Sequence, residues 1–148
     1  MNTHADSEHR AERVVAITTL VAQGQGRRFS ADDIHLWDDL LTDTDLDLAL
    51  EATRDLLRTS TSFISVALIN ARVSEIAAAR LRAVQEWPEP PSGLSAQAYI
   101  TWQETWQRAV MRGASVAEAS TEARRVIGAP AARSALVAPP VVILKPGD

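Results

Sequence analysis

Helical periodicity is the feature that most constrains how this chain can fold. Apolar residues recur at spacings of three and four in six separate stretches, and no stretch alternates with the period of two that marks a half-buried strand. Glycine, proline or polar breaks follow these stretches, and serine or aspartate precedes most of them, as capping residues do at helix ends. The pattern predicts an all-α protein, in which a small helical bundle is followed by a helical hairpin and an extended C-terminal tail.

Proline and glycine divide the chain into four parts. Residues 7–86 carry four of the amphipathic stretches and are predicted to form an N-terminal four-helix unit. Residues 87–94 contain three prolines and a glycine, which do not continue a helix, so they are predicted to be a linker. Residues 95–128 carry two stripes of matching spacing and are predicted to form a helical hairpin. Residues 129–148 contain further prolines and are expected to be a flexible tail.

The pattern also predicts where the first and fourth helices begin and end. The first helix is expected over residues 7–23, with Gly24 and Gly26 ending it. The fourth helix is expected to begin near Ser65, whose hydroxyl can cap it, and to run to about Gln85.

Three of the four tryptophans lie on the apolar stripes and are predicted to be core residues. Trp37 belongs to the stripe of the second helix together with Leu40, while Trp102 and Trp106 belong to the fifth helix. Trp87 opens the proline-rich linker and is expected to be the most exposed of the four. Because tryptophan is enriched at binding hot spots, Trp87 is a candidate interface anchor.

The sharpest charge feature lies between Phe29 and Thr53, where eight acidic residues occur without a lysine or an arginine. One interpretation is a solvated surface that keeps the protein soluble. The other is an electrostatic docking face for a basic partner, with Asp38, Asp39 and Asp43 as candidate partner-binding residues. The sequence leaves both interpretations open.

The tail contains one short apolar segment, formed by Val141, Val142, Ile143 and Leu144. Four residues are too few to form a core, so the segment either packs back as an edge element or anchors a partner. Under the second interpretation, these four side chains are candidate partner-binding residues.

Composition narrows the classes of partner and chemistry. The chain has 148 residues, 15 basic and 19 acidic, and a formal net charge of −4, so direct binding to nucleic-acid phosphates is not expected. It has no cysteine, which excludes disulfides, thiolate catalysis and cysteine-ligated zinc. No apolar run reaches the roughly 18 residues of a membrane span, and the polar residues 1–13 lack the apolar core of a signal peptide. We therefore expect a cytoplasmic location and no contact with a membrane.

Two motif-like segments fail the tests for a ligand site. Gly24 and Gly26 suggest a phosphate loop, but they follow a predicted helix and lack the Gly-Lys-Ser/Thr ending. The acidic run from Asp43 is similar to the start of an EF-hand loop. However, Leu48 stands where that loop needs glycine, and Arg54 stands where it needs a bidentate glutamate. We expect no catalytic residue, no cofactor and no metal, and the protein is predicted not to be an enzyme.

Residues 10–80 combine these parts in a particular order. A short apolar helix and a glycine/arginine turn precede a helix in which tryptophan comes before a leucine pair, and an Asp-rich break and an aromatic start to the last helix follow. The segments concerned are Val14–Ile17, Phe29–Trp37, Leu40–Leu41, Leu48–Ala52 and Phe63–Ile69. This order resembles the N-terminal domain of the phage replicative-helicase loader/inhibitor family. The family often has proline at the start of the last helix, where this chain has the capping residue Ser65.

The resemblance implies a non-enzymatic phage or prophage adaptor. Such a protein would bind a hexameric DnaB-type replicative helicase, load or inhibit it during the initiation of DNA replication, and help to deliver it to an origin-bound initiator protein. It would combine a folded N-terminal domain with a flexible C-terminal part that engages the helicase, which is the place of residues 129–148 in this chain.

Two other functions stay open from the residues alone. Several short helices also suit a small DNA-binding regulator, although the acidic second helix counts against it. The fourth helix also offers few of the arginine, lysine, asparagine and glutamine side chains of a recognition helix. The tryptophan-bearing hairpin at 95–128 also suits a structural phage protein that associates with itself.

Overall fold

The structure, a computed structural model, describes residues 3–129. Within this range the chain forms helices and no strand, which confirms the predicted all-α class. The helices are α1 (Thr3–Gln25), α2 (Ala31–Leu40), α3 (Leu46–Thr59), α4 (Val66–Arg82), α5 (Ala96–Met111) and α6 (Val116–Val126). The predicted anchor of Val141, Val142, Ile143 and Leu144 lies outside the described residues.

A polar side chain caps the start of every helix from α2 to α6. The hydroxyls of Ser65, Ser95 and Ser115 each accept a hydrogen bond from the backbone N–H three residues later. Asp45 caps α3 in the same way with a carboxylate oxygen. Each cap satisfies a backbone donor that the helix leaves unpaired and is worth about 1 kcal/mol relative to alanine. The predicted capping role of Ser65 is confirmed.

α1 differs from the prediction at both ends. It begins at Thr3, before the predicted start at residue 7. The prediction missed the first turn because that turn is polar and exposed and carries no apolar spacing. It continues through Gly24 and stops before Gly26, whose left-handed backbone (φ 61°) suits a residue without a side chain. The prediction that Gly24 ends the helix is therefore wrong. Gly24 lies inside α1, where a side chain would collide with Leu57 of α3.

The helices divide into two compact units, of which the first ends at Ala83. α4 stops at Arg82 rather than at the predicted Gln85. The following residues 84–95 contain no helix and hold three prolines, whose rings remove backbone donors and block helix continuation.

α3 lies at the centre of the first unit. It packs against both α1 and α4, and α2 packs against α1. Ile17, Leu56 and Ile69, one from each of α1, α3 and α4, are fully buried in one core. Trp37 brings α2 into the same core. Each large apolar side chain buried here contributes roughly 1.5–3 kcal/mol before the entropic cost of ordering the chain.

In the second unit, α5 and α6 pack against each other as the predicted hairpin. Trp102 and Trp106 of α5 are buried, as predicted from their stripe. Ala119 and Ala123 of α6 are also fully buried, and their small side chains let α6 approach α5 closely. Trp87, before α5, packs edge-on against Trp106 with ring centroids 5.0 Å apart.

Candidate functional site

α2 has two faces of different character. Its inner face carries Trp37, which packs edge-on against Phe29 with ring centroids 5.0 Å apart. Leu41, directly after the helix, is fully buried as well. The adjacent, outer face carries Leu36 and Leu40, which lie one turn apart and are each 54% exposed. α2 therefore presents apolar side chains both to the core and to solvent.

The prediction that Leu40 belongs to the core stripe is wrong. A helix turns by about 100° per residue, so Leu36 and Leu40 lie about a quarter of a turn around α2 from the buried Trp37 and Leu41, beside the inner face rather than on it. Sequence reasoning also missed Leu36 as a surface residue. The signal was present in the sequence, because two leucines four residues apart share a helix face.

Three of the eight acidic residues between Phe29 and Thr53 are engaged by arginines of other helices in the same unit. The pairs are Asp38–Arg10 (2.9 Å), Asp47–Arg13 (3.0 Å) and Glu51–Arg80, the last through two hydrogen bonds. Partly exposed pairs of this kind contribute about 0–1 kcal/mol each. They link α2 and α3 to α1 and α4, so these carboxylates already have a charged partner within the fold.

Two further acidic residues cap helices. Asp45 caps α3, and Asp33 forms a reciprocal capping box with Ser30 at the start of α2. The Ser30 N–H donates to the Asp33 carboxylate (2.9 Å), and the Asp33 N–H donates to the Ser30 hydroxyl (3.1 Å). The hydrogen bonds from the backbone and the side chain of Ser30 hold the pKa of Asp33 below its usual value of 3.8.

Three acidic residues remain for other uses. Asp32, Asp39 and Asp43 are exposed, and none of them forms an ion pair with another described residue. Asp32 lies one turn before Leu36, Asp39 is next to Leu40, and Asp43 lies in the turn after α2. These five exposed residues lie on one side of α2 and in the turn after it, and we call this acidic and apolar surface the α2 outer face.

The residues predicted to bind a partner fall in different places. Asp39 and Asp43 lie on the α2 outer face with the two leucines. Asp38 does not, because its half-buried carboxylate is turned towards α1. Trp87 belongs to the second unit and is 60% exposed, as expected. The segment 141–144 lies outside the described residues.

Among residues 3–129, no three histidine, aspartate or glutamate side chains are grouped as a metal ion would require. No helix in that range combines the length and the apolar character needed to cross a membrane. Comparison of the chain with protein-family models, with curated proteins and with solved structures found no match.

Proposed function

We propose that this protein is a non-enzymatic phage or prophage adaptor that binds a hexameric DnaB-type replicative helicase and loads or inhibits it. The observation that carries the proposal is the α2 outer face, which exposes two leucines and three carboxylates that the fold does not use. The neighbouring acidic residues form ion pairs or cap helices. A surface of this kind suits a partner that has an apolar groove with a basic rim.

The leucines and the carboxylates of this face have different roles in binding. Leu36 and Leu40 are about half exposed, so covering each contributes roughly half of the 1.5–3 kcal/mol of a full burial. The carboxylates steer a basic partner into register and raise the association rate, an effect that weakens as salt increases. A hexamer presents six equivalent sites, so several bound copies would raise the apparent affinity through avidity.

The class of partner rests on the resemblance of residues 10–80 to the loader/inhibitor family. That segment contains all of α2, and therefore both leucines of the outer face. The alternative of a DNA-binding regulator gains no support from α2, because its exposed carboxylates would repel phosphates.

Two ligands tested against the full chain separate these functions. Sedimentation with a purified hexameric DnaB-type helicase should show the protein moving with the hexamer, and a gel shift at physiological salt should show no complex with duplex DNA. Duplex binding with an ordinary counterion slope, together with no helicase complex, would overturn the proposal in favour of a DNA-binding regulator.

The helicase's own activity distinguishes loading from inhibition. An inhibitor lowers its ATP hydrolysis and strand separation in the complex, whereas a loader raises the fraction of helicase assembled on single-stranded DNA. The protein alone should hydrolyse no ATP. Hydrolysis that is abolished by changing Arg27 and Arg28 would contradict the non-enzymatic assignment.

A further inference from the structure

A groove follows the outer side of α3 to the C-terminal end of that helix. Two cavities of about 360 and 460 Å³ form it, and Leu57 lines both of them. We call this surface the α3 groove. Its defining residues are Gly24, Arg27, Arg54, Leu57, Arg58 and Phe63. Its described lining residues all belong to the first unit, and none of them belongs to the α2 outer face.

Leu57 forms an apolar floor in the α3 groove, beside the polar residues Gln25, Ser60 and Thr61. Leu57 lies over Gly24 of α1, and a side chain at position 24 would collide with the Leu57 methyl groups. The missing side chain of this glycine therefore creates room for Leu57 between α1 and α3. Phe63, in the loop after α3, is 68% exposed and adds a second apolar surface at the end of the groove.

Hydrogen bonds hold that end of the groove in one arrangement. The Arg27 guanidinium donates to the carbonyl of Ile64 and lies 3.8 Å from the centre of the Phe63 ring. Gln25 donates to the carbonyl of Ser62 (2.8 Å) and accepts from the Ile64 N–H (3.0 Å). A surface that is ordered before binding loses less conformational freedom when it is occupied.

The rim of the α3 groove is basic. Arg54 is exposed and forms no ion pair with another described residue. Arg58 is 3.8 Å from one oxygen of Asp55, whose other oxygen is held more closely by Arg72. Glu51 also lines the groove, but an arginine of α4 neutralises it. The groove therefore fits an acidic helix that carries apolar anchors.

The same unit carries a helix with that chemistry. We propose that the α3 groove of one copy binds the α2 outer face of a second copy. Leu36 and Leu40 meet the apolar floor, while Asp39 and Asp43 face the arginines of the rim. Because two different surfaces meet, the contact is heterologous. It involves no helicase, but it uses the same α2 outer face as the proposed function.

Charge-neutralised variants of the full chain test this contact by sedimentation at low salt. One variant, Asp39→Asn/Asp43→Asn, changes the α2 outer face. The other, Arg54→Gln/Arg58→Gln, changes the rim of the α3 groove. The wild type should associate with increasing concentration and dissociate at high salt. Each variant alone should associate at least tenfold more weakly. An equimolar mixture should regain association, because each variant keeps the surface that the other has lost.

The control Arg82→Gln/Arg125→Gln changes the net charge as much as Arg54→Gln/Arg58→Gln does, but at exposed sites outside the α3 groove. It should associate like the wild type. The proposal is overturned if the wild type stays monomeric at all concentrations at low salt. It is also overturned if the mixture associates no more than its components, or if the control loses as much association as the groove variant.

Discussion

Ser30 and Asp33 determine where α2 begins, and α2 carries the surface on which the proposed function depends. α2 has only 10 residues, fewer than the roughly 12–15 that an isolated helix needs to be stable in water. Its stability therefore depends on the reciprocal capping box and on the burial of Trp37. A change at the cap would alter the outer face without touching it.

The lowered pKa of Asp33 has a defined effect on stability. The folded state binds a proton at Asp33 less readily than the unfolded chain does, so the charged carboxylate stabilises the fold above pH 3.8. That stabilisation is lost as the pH falls through the lower pKa of the folded state. Asp33→Asn should therefore lower the urea midpoint at pH 7, and the difference from the wild type should shrink at pH 3. Equal midpoints at pH 7 would contradict this role.

At the scale of the element, substitutions on the two faces of α2 should destabilise the protein to different extents. Trp37→Ala removes a buried ring and should cost about 3–5 kcal/mol of unfolding free energy. Leu36→Ala/Leu40→Ala removes side chains that are only about half buried and should cost roughly 1–2 kcal/mol for the pair. Urea unfolding followed by circular dichroism measures both. A leucine variant as unstable as Trp37→Ala would mean that the outer face is part of the core.

The helices and the surfaces between them were not equally predictable from the sequence. Apolar spacing and capping serines are local signals, so the helical class and most helix starts followed from them. Asp38 was misplaced because its partner, Arg10, lies 28 residues away and no local pattern connects the two. The α3 groove was missed for the same reason, since it depends on Gly24 meeting Leu57 across two helices.

For the whole molecule, the division into two units predicts that the first folds without the second. Its core is built from α1 to α4, and the proline-rich segment after Ala83 is a natural boundary. A chain ending at Glu86 should therefore be helical and unfold in one cooperative thermal transition. Absence of a cooperative transition would show that the hairpin contributes to the same core.

A second truncation tests whether residues 141–144 anchor a partner or pack against the folded helices. A chain ending at Arg133 should melt at nearly the same temperature as the full chain and should bind the helicase more weakly, because it keeps the α2 outer face but lacks the apolar segment 141–144 as a second anchor. Unchanged affinity would assign the whole interface to the folded helices. A large fall in melting temperature would instead mean that the segment packs into a core.

The two proposed contacts use one surface. A helicase bound to the α2 outer face would exclude the α3 groove of a second copy, so the free and the bound protein would differ in their state of association.

The most direct measurement of the central claim is the affinity of the full chain for the hexameric helicase, with and without the leucines of the α2 outer face. Leu36→Ser/Leu40→Ser should weaken binding by about tenfold or more, since about 1.4 kcal/mol corresponds to a factor of ten. Ile100→Ser/Val126→Ser, at similarly exposed positions of the second unit, should bind like the wild type. Unchanged affinity of the first variant, or an equal loss in the second, would contradict the assignment of the α2 outer face as the docking site.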